Sequence, residues 1–294
     1  MKEKVIPLII VAIVLISVIA GLVILLQAPA FFGNIAMIRI EGTIASEKGI
    51  LGGTSSEEIV KQIKEAREKD SIKAVLIRIN SPGGSAAASQ EIYEEIMKTR
   101  KEGKPVVVSI GDMATSGGYY VASAATKIVA EPGALTGSIG VIWVHPVLTK
   151  FFERWGIQFE IVKSGPYKDI GAVWRNFTQE EWQLVQGAIS DIYDQFVSDV
   201  AKGRDMNIEK VKQVADGRIL TGRQAKEVGL VDNLGNIEGA IKLAADLAGI
   251  EKPVIVELKK VTFFEQFFGT VSEKATRGII QGILQFYFQR QITL

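Results

Sequence analysis

The sequence predicts an α/β domain on a mostly parallel sheet, preceded by one transmembrane helix. Three observations carry this reading. From Ile35 onward, apolar stretches of strand length and of helix length alternate with turn residues between them, which is the pattern of βα units rather than of a sandwich. The recurring order of strand, glycine-rich loop and helix makes successive strands parallel. Residues 5–26 contain no charged side chain.

That first segment, Val5 to Leu26, would span roughly 33 Å as a helix at about 1.5 Å per residue, enough for a hydrocarbon core of about 30 Å. Lys2 and Lys4 precede it, so the positive-inside bias predicts a cytoplasmic N-terminus and a domain on the other side of the membrane. Ala28-Pro29-Ala30 has the A-x-A outline of a cleavage site. The apolar run nevertheless exceeds the ~7–15 residues of a signal-peptide h-region, so residues 1–30 are read as a retained anchor.

The domain proper is expected over 31–260. Ile35 to Glu41 reads as a strand, and Gly49 to Thr54 as a break. Ser55 and Glu58 have capping-box spacing before a charged helix ending near Lys69. Ala74 to Ile79 is the next strand, stopped by Asn80-Ser-Pro-Gly-Gly, and a helix with Ile92 and Ile96 on one face runs to about Arg100. Further strands are expected at Val106 to Ile110 and Gln158 to Val162, and helices at Gln179 to Gly203, at Gly222 to Val228 and after Asn236. The tail, 261–294, places Phe263, Phe267, Ile280, Leu284 and Phe288 at helical spacing. It reads as an amphipathic segment for the domain, a neighbouring subunit or the membrane interface.

Composition then narrows the chemistry. Lys plus Arg number 34 against 33 Asp plus Glu, a formal charge of +1, so no global field holds nucleic acid and no nucleic-acid partner is expected. The absence of Cys and the single His145 remove disulfides, thiolate metal sites, cysteine nucleophiles and HExxH zinc sites. Carboxylate, Lys, Tyr, Ser or Thr chemistry remains, with no metal or other cofactor expected.

Two loops stand out. Asp112-Met-Ala-Thr-Ser-Gly-Gly-Tyr-Tyr follows a strand and precedes an Ala-rich helix, which places Ser116 where bare amides could hold a phosphate or a developing oxyanion. Neither GxxxxGK[ST] nor GxGxxG occurs, so phosphate binding lacks its usual signature. Asn80-Ser-Pro-Gly-Gly offers a second set of amides at the carboxyl end of a strand, where ligands bind in parallel sheets. A hydroxyl on one loop facing amides on another suits acyl transfer, although either loop alone could be an ordinary turn. The serine would need a base. His145, Lys163 and Lys168 are the candidates, and residues alone do not choose among them.

Together, Asn80-Ser-Pro-Gly-Gly, Thr115-Ser-Gly-Gly-Tyr-Tyr, Leu135-Thr-Gly-Ser-Ile-Gly-Val, Lys163-Ser-Gly-Pro-Tyr-Lys-Asp and Asp216-Gly-Arg-Ile-Leu-Thr-Gly-Arg-Gln-Ala resemble the signal peptide peptidase A family, Ser/Lys proteases with a Clp protease/crotonase-like fold. The resemblance implies Ser116 as nucleophile, Lys168 as general base, Ser138 as the hydroxyl that orients the lysine, and Gly83 and Gly117 as oxyanion donors. Lys163 falls on a position that is not the base. Double-length members carry base and nucleophile in different halves, so this single-copy chain is expected to form homo-oligomers that share active sites between subunits. The implied protein is a membrane-anchored, extracytoplasmic serine endopeptidase that acts on signal peptides or other unfolded apolar polypeptides. Two alternatives are a non-catalytic membrane-anchored binding or scaffold protein on a crotonase-like fold, and an acyl-CoA enzyme, which an exported domain fits poorly.

Overall fold

The structure, a computed structural model, describes residues 33–258 apart from 48, 50 and 51. The expected anchor, 1–30, and the tail, 261–294, lie outside the described residues. Among those described, no helix is long and apolar enough to cross a membrane.

An eight-stranded sheet organises the chain. Its main path contains β1 (Ile35–Glu41), β4 (Ala74–Ser81), β5 (Val106–Thr115), β6 (Lys127–Ala130), β9 (Asn233–Leu234) and β10 (Ile255–Glu257) in the order β10-β1-β4-β5-β6-β9. All these pairings are parallel. The upper half of β5 also pairs in parallel with β7 (Leu135–Gly137), and β7 pairs antiparallel with β8 (Ile219–Thr221). A separate ribbon joins β2 (Ile44–Ala45) to β3 (Thr54–Ser55).

The predicted βα order holds because the central strands are buried on both faces. Ala74 to Ile77 of β4 and Val106 to Val108 of β5 are fully buried, and each large side chain so removed from water contributes roughly 1.5–3 kcal/mol. On one face, α8 (Ile237–Ala248) lays Ala240, Ala244 and Ala245 over Ile35, Leu76, Val107 and Val129. The other helices follow their sequence signals. In α1 (Ser56–Glu68) the cap Ser55 accepts from the Glu58 N–H, and its buried stripe is Ile59, Ile63 and Ala66. Ser85 caps α2 (Ala86–Lys101), which buries Ile92, Tyr93 and Ile96. The long α5 (Gln179–Arg204) opens on a complete capping box of Thr178 and Glu181. Shorter helices are α3 (Gly117–Ser123), α4 (Thr149–Arg154), α6 (Ile208–Lys212) and α7 (Gly222–Glu227).

One departure matters. Gln158 to Val162, read from its alternating pattern as a strand, has no ladder partner and is exposed throughout. Alternation predicts a half-buried strand only where another strand receives it, and none does among the described residues.

The packing of α5 on α3 is set by Gly203, where a Cβ would lie 2.4 Å from the Ser123 carbonyl oxygen. On an open helix, Gly→Ala stabilises by up to about 1 kcal/mol. Here Gly203→Ala should instead destabilise by about 1–3 kcal/mol, read as a lower urea midpoint. A higher midpoint would contradict the close approach of α5 to α3.

Candidate active site

The site begins where β5 ends. Ser116 follows Thr115 with φ 52° and ψ −124°, a left-handed conformation that costs a non-glycine residue on the order of 1–3 kcal/mol and persists only when its surroundings impose it. They do so here. The Ser116 N–H donates to Gly137 O of β7 at 2.9 Å, its carbonyl accepts the Tyr120 N–H at 2.9 Å, and Thr115 Oγ1 donates to Pro82 O at 3.2 Å.

The helix that follows is wholly buried, and its two tyrosines explain why. Tyr119 donates its hydroxyl to Leu230 O at 2.9 Å. Tyr120 donates to the Asp199 carboxylate and stacks on Phe196 with centroids 4.4 Å apart. Burial, reinforced for Tyr120 by Asp199, holds both phenols well above their ordinary range and therefore protonated. They fix the turn on which the half-buried Ser116 stands.

Against this turn packs the 82–84 loop. A Cβ at Gly83 would fall 2.6 Å from Gly117 N and 2.9 Å from Ser116 Cβ, and one at Gly117 would fall 2.5 Å from Ser89 Oγ and 3.1 Å from Gly84 N. Glycine is required at both places by this backbone approach. The loop is itself pinned: Ser81 Oγ donates to Gly42 O at 2.6 Å and accepts the Gly83 N–H at 3.1 Å. The Gly84 and Gly117 amides have no hydrogen-bond acceptor among the described residues.

Ser138 directly follows Gly137, the acceptor of the Ser116 N–H, and also has positive φ, 51°. The 216–218 loop braces it: Ser138 N donates to Arg218 O at 2.8 Å and Gly217 N to Ile139 O at 3.0 Å. An Asp216–Arg218 ion pair closes this loop, a supporting contact that sequence reading left without a role.

The structure thus brings Ser116, Gly83, Gly117 and Ser138 together. Lys168 is exposed, and no hydrogen bond joins it to Ser116. It lies on an arm, 141–178, whose hydrogen bonds all stay within 145–182. Within the arm, Phe159 stacks on Trp174 at 5.0 Å. His145 contacts Ala172 O at 3.0 Å through Nε2 and lies 4.1 Å from the Phe177 ring centroid, so the lone imidazole belongs to the arm's framework.

The loop bearing Lys168 is tied down through its neighbour. Asp169 accepts from Lys163 Nζ at 2.7 Å and from Arg175 Nε and Nη2 at 3.0 and 2.8 Å. Arg175 also forks onto Glu181, the capping-box residue of α5. Arg175 and then Lys163 hold the Asp169 carboxyl below the usual carboxylate range, while Arg175 and the Thr178 N–H bring Glu181 to about 2. A depressed carboxylate contributes stability above its unfolded value of ~4 and loses it as pH falls through the folded value. Asp169→Asn should therefore make the 163–175 loop several-fold more susceptible to limited proteolysis at neutral pH, and the parent should lose protection only as pH falls from about 4 toward 2. Unchanged protection in the variant would contradict the brace.

Known proteins match this sequence. The family model of Peptidase family S49 matches residues 98–251, and that of Clp protease matches residues 35–134. The Synechocystis sp. protein slr0021 is 46% identical over 228 residues, covering 78% of this chain and 79% of its own length. The chloroplastic serine protease SPPA of Arabidopsis thaliana is 40% identical over 235 residues, 77% of this chain and 35% of that protein. Protease 4 of Salmonella typhi is 38% identical over 228 residues, 77% of this chain and 37% of that protein. The chain thus spans about a third of the length of the last two relatives. Because the S49 match takes in more than half of the 294 residues, including the turn that strains Ser116, the chain belongs to peptidase family S49 and is a serine peptidase.

Proposed function

We propose that this peptidase is anchored in a membrane by residues 5–26, that its domain works on the extracytoplasmic side, and that it cleaves signal peptides or other apolar segments released from the membrane. Its site is completed by Lys168 from a neighbouring copy. The arm carries this reading. It presents large apolar side chains to water, with Trp143 55%, Val144 75%, Phe151 54% and Trp155 68% exposed, and such a patch marks an interaction surface. Covering it with a second copy would bury these rings and bring that copy's Lys168 to Ser116.

In this mechanism Ser116 Oγ bonds to the substrate carbonyl carbon while its proton passes to neutral Lys168 Nζ. The C–N bond then breaks, and the resulting ammonium returns the proton to the leaving amine. Water releases the acyl group through the same pair. Gly117 donates to the oxyanion. The second donation comes from the 82–84 loop, and because the Gly83 amide already serves Ser81 Oγ, we assign it to Gly84, with Gly83 providing the close approach. Ser138, beside the acceptor of the Ser116 N–H, orients the lysine.

An amine accepts a proton only when neutral, and enclosure by apolar surface favours that form. Peptidase activity of the full chain on an apolar peptide should therefore rise from neutral to alkaline pH. Ser116→Ala should abolish turnover and labelling by a phosphonylating probe, and Lys168→Arg should be inactive because guanidinium stays charged. Substantial turnover by Ser116→Ala, or a rate set near pH ~6.5 that vanishes in His145→Ala, would overturn the assignment. A reporter fused after Leu294 should register on the outer face of the membrane, and cytoplasmic signal would contradict the topology.

A further inference from the structure

Because β1, β4, β5 and β6 are parallel, their first residues share one edge of the sheet, opposite the edge at which Ser116 follows β5. Backbone bonds run along it: Lys73 N to Asn34 O at 2.8 Å, Val75 N to Pro105 O at 2.9 Å and Thr126 N to Val106 O at 2.8 Å. A cleft of 890 Å³ opens at this edge, lined by Lys98, Arg100, Lys101, Lys104 and Lys202 and by no carboxylate.

Two of these cations are engaged within the fold. Arg100 donates to Ala124 O at 2.7 Å, and Lys104 donates to Ala66 O at 2.7 Å and Arg67 O at 2.8 Å. Lys98, Lys101 and Lys202 are exposed and have no ion-pair partner among the described residues. The C-terminal dipole of α2 accounts for cations on its last turn. Lys202 stands likewise on the last turn of α5 and reaches the same cleft, so the C-termini of two helices bring their cations together there. Leu247 of α8 stands 41% exposed beside them, so the cleft combines positive charge with an apolar side chain.

The chain's own geometry says what lies near. Eight residues, 27–34, separate the end of the charge-free segment from β1, and at ~3.3–3.6 Å each they reach no more than roughly 28 Å. Two strand spacings, roughly 10 Å, separate the start of β1 from that of β5 and the cleft. Resting on the anchored reading above, we infer that this basic cleft docks onto anionic phospholipid headgroups. Docking would hold the sheet edge against the bilayer and set Ser116 at the far end of β5. An anionic leaflet strengthens the attraction roughly fivefold per nearby lysine, and salt weakens it.

The test uses the full chain, which has no cysteine, so Leu247→Cys gives a single site for an environment-sensitive fluorophore. Lipid nanodiscs of phosphatidylcholine alone, or of phosphatidylcholine with phosphatidylglycerol, carry a lipid-borne quencher. Docking and anchoring both stand if the protein co-elutes with both discs and is quenched only in the anionic ones. K98Q/K101Q/K202Q, with an unchanged melting curve, should then lower the docked-to-undocked ratio on the order of 100-fold, and high salt should lift the quenching without any substitution. Co-elution with both discs but equal quenching overturns the docking and leaves the anchor. Co-elution with anionic discs alone, lost in the triple variant, supports the docking and overturns the anchor. Co-elution with neither overturns both.

Discussion

The site depends on how closely two turns approach. Between the 82–84 loop and the start of α3 there is no room for a methyl group at Gly83 or Gly117. That approach sets the Gly84 and Gly117 amides beside a serine held in a conformation it would not adopt alone. Much of the surrounding architecture keeps this seam shut. Ser81 ties one loop to Gly42, β7 supplies the acceptor for Ser116 N–H, and Tyr119 and Tyr120 moor α3 to Leu230 and Asp199. Strain at Ser116 is thus held in place by burial some distance from the hydroxyl, which remains accessible.

The proposed base is organised by different physics. Lys168 stands on an arm that makes its hydrogen bonds to itself and to the start of α5, and its loop is held by Arg175 shared between Asp169 and Glu181. Charged hydrogen bonds preserve the shape of such a segment where a hydrophobic core is missing. The arm's Trp143, Phe151 and Trp155 rings remain more than half exposed, and that is where the proposed second copy enters. A serine held by close packing and a lysine carried on a self-contained arm are what the proposed site, completed on assembly, would use.

Much of the fold was legible because burial writes itself into sequence. Ala74 to Ile79 and Val106 to Ile110 are apolar runs because both faces of β4 and β5 are covered, and Ser85, Thr178 and Asn236 act as caps where polar residues precede helical patterns. The short strands β6 to β10 were not foreseen, since two to four residues carry no readable period. Gln158 to Val162 misled for a physical reason: alternation makes a strand only where another strand receives it, and none does among the described residues. Ser116, Gly83, Gly117 and Ser138 lie together in the structure, and their roles rest on the family resemblance. The engagement of the Gly83 amide by Ser81, and the lack of a hydrogen bond between Lys168 and Ser116, needed coordinates.

The central claim, that one copy's lysine serves another copy's serine, is tested most directly by complementation. Ser116→Ala and Lys168→Ala chains, each inactive alone, would be co-assembled in equal amounts and mixed assemblies isolated through two tags. With random mixing around a closed head-to-tail ring, about a quarter of the interfaces join an intact serine to an intact lysine, and activity should return to roughly that fraction of the parent's. Mixed assemblies that stay inactive would show that each chain completes its own site.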